Sequence, residues 1–207
     1  MQRAGAAMCF LWLVSTLGIA TAGFATTLAV APLGAGQAAP ELLQRMVGTW
    51  DVQQKMWPGA NATAIILPPA VAKRQLVGNT YLKETMQLEP GSKQSPFTRD
   101  AYFNYNAVTH RYEYASMDTR APQLMVEKSD VTAEASTTPQ RADTIALQGS
   151  RFLAPRWGNA TNVSFRYRLT IGPVEHDRQT VRLYLTPLSG TTKKEFLAFE
   201  YVYTRRR

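Results

Sequence analysis

Cysteine is nearly missing from this 207-residue chain, and the single one, Cys9, stands close to its start. Beyond it no disulfide framework and no thiolate metal site can be built. Histidine is almost as scarce: His110 and His176 are the only two. Both fall in expected turns, so a histidine-held metal, a haem iron with an axial His on a late strand, and a Ser–His or Cys–His pair all lack parts. No metal and no cofactor are therefore expected. From residue 40 onward no helical pattern runs longer than two turns, and acids are outnumbered, 15 against 23 Lys and Arg, for a formal net charge of +8. That excess favours anionic ligands or membrane surfaces. Nucleic acid is not an expected partner, because the chain has neither a basic helix nor a glycine-flanked aromatic motif.

Charge itself is absent from Ala4 to Ala31, behind a short head that carries Arg3. Small-residue cleavage patterns follow at Ala20-Thr21-Ala22 and at Gln37-Ala38-Ala39. Residues 1–39 read as a signal peptide, which predicts an exported protein, periplasmic or secreted. The alternative is an uncleaved inner-membrane anchor formed by residues 4–31, long enough to span a bilayer and to hold the protein in contact with it. Residues 40–207 read as one domain, large enough to bury a core without covalent staples.

What fills that domain is a succession of short, turn-bounded, alternating runs. Pro40 to Met46 places Leu42, Leu43 and Met46 on one helical face, and Gly48 ends the helix. From Trp50 the period is two, with Trp50, Val52, Gln54 and Met56 on one face. Pro58-Gly59 and Pro68-Pro69 are expected to bracket a loop. Strands are then predicted over 71–77, 80–88, 100–105, 111–118, 122–130, 143–148, 163–171, 180–185 and 195–205. Gly172-Pro173 supplies a turn, and Ala133–Gln140 reads as a mobile loop. Ten short strands and one short helix predict an all-β fold, a closed antiparallel barrel or a sandwich.

Two residues favour closure. Trp50 opens the first strand, and Arg205 closes the last, sharing its face with Leu197, Phe199, Tyr201 and Tyr203. An inward Arg needs a partner, and the two meet only if the sheet curls until its edges join; a cation–π contact between them is expected. That pairing resembles the closure of lipocalin-like (calycin) barrels. Further motifs resemble an uncharacterised bacterial family, the domain of unknown function 1579 group. They are Val47-Gly48-Thr49-Trp50-Asp51, Met56-Trp57-Pro58-Gly59, Gly78-Asn79-Thr80-Tyr81-Leu82-Lys83-Glu84, Tyr105-Asn106, Tyr112, Asp118, and Glu200-Tyr201-Val202-Tyr203-Thr204-Arg205. The resemblance implies a lipocalin-like barrel and assigns no activity. The chain departs from the family pattern at Asn104-Tyr105-Asn106, where the family carries Gly-Tyr-Asp, and at Ser116, where it carries Trp.

Inside such a barrel, polar residues on apolar faces are the candidates for recognition. Glu84 shares its face with Leu82, Met86 and Leu88; Tyr112, Ser116 and Asp118 share theirs with Tyr114. A carboxylate there is costly unless paired or hydrated. Glu84, Tyr112, Ser116 and Asp118 are expected to line an otherwise apolar pocket as its polar contacts. The expected function is non-catalytic binding or carriage of a small hydrophobic or amphipathic molecule in the bacterial cell envelope. The alternatives are a small barrel enzyme (isomerase, cyclase or hydrolase) using Glu84 or Asp118 as general base, or the two as an acid–base pair, and a structural envelope protein with a packed core.

Overall fold

The computed structural model describes residues 40–129, 144–158, 160–189 and 193–207. The expected signal peptide, Cys9 and the Ala133–Gln140 loop lie outside the described residues. Among the described residues a single helix, α1 (Glu41–Met46), precedes ten strands. These are β1 (Gly48–Met56), β2 (Ile65–Val77), β3 (Tyr81–Leu88), β4 (Thr98–Asn106), β5 (Arg111–Asp118), β6 (Ala121–Ser129), β7 (Ile145–Trp157), β8 (Ala160–Ile171), β9 (Arg178–Pro187) and β10 (Phe196–Arg205). Each strand pairs antiparallel with its sequence neighbours, and β1 also pairs with β10, so the sheet is a closed barrel. Alternation places the core: on β1 Trp50, Val52 and Gln54 are buried while Asp51 and Gln53 are exposed.

Three local readings change. Pro68 and Pro69 lie inside β2, beside a register shift between Val52 and Gln54 of β1. At such an irregularity proline's missing N–H breaks no ladder bond, and the Pro68 carbonyl accepts the Gln54 side-chain amide at 3.1 Å. The seventh strand runs on past Gln148 to Trp157, because Gly149 marks a close approach rather than an end: a Cβ there would stand 2.1 Å from the Tyr167 ring. In β10 a register shift between Leu197 and Phe199 lets Phe196, Ala198, Tyr201 and Tyr203 all be buried, so Leu197 leaves the expected inward set.

The connections from odd- to even-numbered strands gather at one end of the barrel. The opposite end carries α1 and the end of β10 and is sealed. Its centre is Trp50, fully buried, whose indole N–H donates to the Met46 carbonyl at 2.9 Å and so ties down the helix. The Arg205 guanidinium carbon lies 4.2 Å from the Trp50 ring centroid, and Trp50 and Arg205 are direct partners in the β1–β10 register. Arg205 also donates to Asp177 at 3.0 Å, to the Arg45 carbonyl at 2.6 Å and to the Val47 carbonyl. Its side chain keeps 27% of its surface, so it lies across the floor and does not point into the interior. Part-solvated, the cation–π contact is worth nearer ~1 than ~2 kcal/mol. Gly48 is required beneath it. Its φ is +135°, and a Cβ would come within 2.6 Å of an Arg205 terminal nitrogen.

Among the described residues the wall has a seam. Between β6 and β7 the ladder covers Glu127–Ser129 against Leu147–Gly149 and then stops. Towards the open end, side chains replace it. The Tyr167 hydroxyl accepts from the Val126 N–H and donates to the Val126 carbonyl, both at 3.1 Å. Gln123 donates to the Leu153 carbonyl at 2.7 Å and accepts from its N–H at 3.0 Å.

Candidate functional site

The inward polar side chains fall into two layers with different chemistry. Near the sealed end, Glu84 on β3 accepts from Arg74 of β2 at 2.6 Å and from Arg99 of β4 at 2.9 Å, with the Tyr203 hydroxyl at 3.3 Å. Arg74 reaches on to Gln179 at 2.6 Å, and Gln179 donates to the Gly172 carbonyl at 2.8 Å. Arg99 donates to the Tyr114 hydroxyl. The Arg74 guanidinium also stacks on the Tyr203 ring, 3.9 Å from its centroid. Burial opposes charge on Glu84, but the two guanidinium groups and the bonds from Arg74 and Tyr203 outweigh it, and the carboxyl is held below its ordinary pKa. This layer leaves a void of only about 20 Å³.

Above it, towards the open end, is a cavity of about 320 Å³. Its walls are apolar and largely aromatic or sulfur-bearing, with Met56, Met125, Phe152, Trp157, Leu183 and Phe199 among them. Its buried polar lining is Arg99, Tyr114, Ser116, Glu127 and Tyr201; Asp118, Arg120 and Gln123 join at the β5–β6 turn. Glu127 decides the character of this space. It is 1% exposed, and its Oε2 has no hydrogen-bond partner among the described residues. Burial pushes its carboxyl up to about 8, with the Arg99 charge only partly opposing, so at neutral pH it carries a proton. The same burial, with Glu127 nearby, pushes the Tyr167 hydroxyl up to about 12. The buried indole N–H of Trp157 is likewise without a partner among the described residues.

The four expected contact residues separate accordingly. Ser116, buried, and Asp118, half-buried, line the cavity. Asp118 also accepts the Arg120 N–H at 2.9 Å and pairs with its guanidinium at 2.6 Å, capping the turn. Glu84 lies inward but in the lower layer, away from the cavity lining and taken up by two arginines. Tyr112 is not in the lining either: its ring stacks on Phe103 at 5.3 Å and meets Tyr105 at 5.0 Å. As an acid–base pair Glu84 and Asp118 are poorly placed, because each carboxylate is already engaged by guanidinium. Glu127 and Arg99 went unmarked. In 121–129 the outward face holds Leu124 and Val126, so apolar content points the wrong way; both are exposed. The only signal for Glu127 was its parity with Gln123 and Met125.

The motif content and the closed ten-stranded barrel have a counterpart among known families. The family model described as a protein of unknown function (DUF1579) matches residues 36–205. The chain belongs to this family. Among solved structures, this DUF1579 protein is similar to the crystal structure of Rv2717c from M. tuberculosis, with a TM-score of 0.50 and 18% identity. The alignment covers 83% of this chain and 100% of that one, and at such identity it speaks for the fold alone. No curated protein matches the chain.

Proposed function

We propose that this DUF1579 protein binds and carries a small amphipathic molecule in the cavity at the open end of its barrel. The observation that carries the reading is the cavity itself. Its volume falls in the range of small-molecule sites, its wall is apolar, and two buried polar groups in its lining lack partners among the described residues. A filled core would close such a space, since packed interiors leave few voids larger than a water molecule. Polar atoms are buried unsatisfied only at a cost of about 1–3 kcal/mol each, which a ligand can recover. The charge-free stretch from Ala4 to Ala31 supports carriage in the bacterial cell envelope.

Equilibrium binding of the purified chain against a panel of lipids and metabolites tests the reading. Met125→Trp, which places a large ring in the cavity, is expected to abolish binding while leaving the thermal transition of the barrel in place. Unchanged binding in that variant would move the site elsewhere.

A further inference from the structure

The chemistry of the cavity lining is one-sided, and this narrows the ligand. Among the described residues, both buried groups of the lining left without a partner, Glu127 and Trp157, can donate a hydrogen bond. The Trp157 indole is a donor only. Arg99 uses its Nη1 on Glu84 and its Nη2 on the Tyr114 hydroxyl, which occupies two of the five N–H donors a guanidinium carries. Glu127, neutral at pH 7, presents a carboxyl group that can donate as well as accept. The buried ions add a sign. Among the described residues, the buried Arg74 and Arg99 face a single buried ionised carboxylate, Glu84, an excess of one positive charge.

Resting on the carrier reading above, we propose that the ligand is an amphiphilic carboxylic acid. Its apolar body lies along the Met125, Phe152 and Phe199 wall, and its carboxylate is received by Glu127 and Arg99. The ligand carboxylate supplies the missing negative charge and only acceptor oxygens. Glu127 donates its proton to one of those oxygens, and the two carboxyl groups share that proton. An amine would leave the Arg99 guanidinium facing a second donor and a second positive charge. An alcohol would leave the interior charge unbalanced.

Binding is then linked to the protonation of Glu127. The charged and titratable groups facing it are Arg99 from β4, Tyr114 from β5 and Tyr167 from β8. Arg99 stays charged and both tyrosines stay neutral at pH 7. Glu127 is therefore the member of the group that titrates near neutrality.

The test is calorimetric titration of the full chain with decanoate, decanol and decylamine at pH 7 and pH 9.5. Decanoate is expected to bind at least about tenfold more tightly than the other two at pH 7. At pH 9.5 its affinity should fall by about tenfold or more, since a bound proton is required. Glu127→Gln keeps an N–H donor at every pH and should remove most of that fall. Equal affinity for decanoate and decanol overturns the head-group proposal and leaves the carrier reading standing. Tighter binding of decylamine, or a decanoate affinity independent of pH in the wild-type chain, also overturns it. Binding of none of the three overturns both readings.

Discussion

The sealed and open halves of this barrel bury similar polar groups and treat them in opposite ways. In the lower layer Glu84, Arg74, Arg99, Gln179 and Tyr203 are joined in one network, and almost no space remains between them. In the upper layer Glu127 and Trp157 face about 320 Å³, each with a polar atom unpartnered among the described residues. A satisfied network holds strands together; an unsatisfied one waits for something to satisfy it. The two carboxyl groups show the difference most directly. Guanidinium groups hold Glu84 ionised, while burial keeps Glu127 protonated up to about pH 8.

The comparison can be broken by mutation, beginning with the lower layer. Glu84→Ala leaves two buried guanidinium groups without their carboxylate, and a loss of roughly 5 kcal/mol is expected in urea denaturation. A loss under about 1 kcal/mol would mean that the network does not hold the fold. Trp50→Ala should cost roughly 3–5 kcal/mol, as aromatic truncations in packed cores do. In the upper layer the sign reverses. Glu127 ionises near 4.5 in the unfolded chain but only near 8 in the fold. Its favourable contribution is therefore complete below pH 4.5 and is lost as pH rises towards 8. Glu127→Gln should raise stability by roughly 2–4 kcal/mol at pH 8 and change it little at pH 4. Glu84, held low, contributes in the opposite sense: its share is present above its unfolded pKa and disappears as pH falls through the folded one. Tyr167→Phe, which removes the hydroxyl bridging to Val126, should cost about 1 kcal/mol by thermal denaturation. Asp118→Asn, at a part-exposed pair, should cost under about 1 kcal/mol.

The barrel was legible in the sequence because alternation and turn chemistry are local signals. β1, β3 and β5 bury or half-bury the residues that their period-two patterns mark. Breakers misled where tertiary contacts overrode them. Pro68-Pro69 sits at a β-irregularity inside β2 and brackets no loop, and the strand expected over 143–148 runs on because Gly149 makes room for a ring. The candidate site was half legible for a different reason. Alternation tells which face a side chain takes, but it does not tell how far along the barrel axis that residue lies. Glu84, Tyr112, Ser116 and Asp118 all face inward or nearly so, and axial position alone sends the first two away from the cavity and the last two to it. Glu127 escaped because an outward face carrying Leu124 and Val126 resembles a core face, and its partnerless oxygen is a property of the assembled wall.

That assembled wall also has a weakest line. Where Tyr167 and Gln123 stand in for backbone pairing, β6 and β7 are held by rotatable groups that can release and reform without unzipping a ladder. The amides of Leu124 and Val126, which face that line, should exchange with deuterium ahead of those in the fully laddered β2–β3 hairpin. The same bonds that complete the vessel thus mark where it can breathe, next to the strand that carries Glu127.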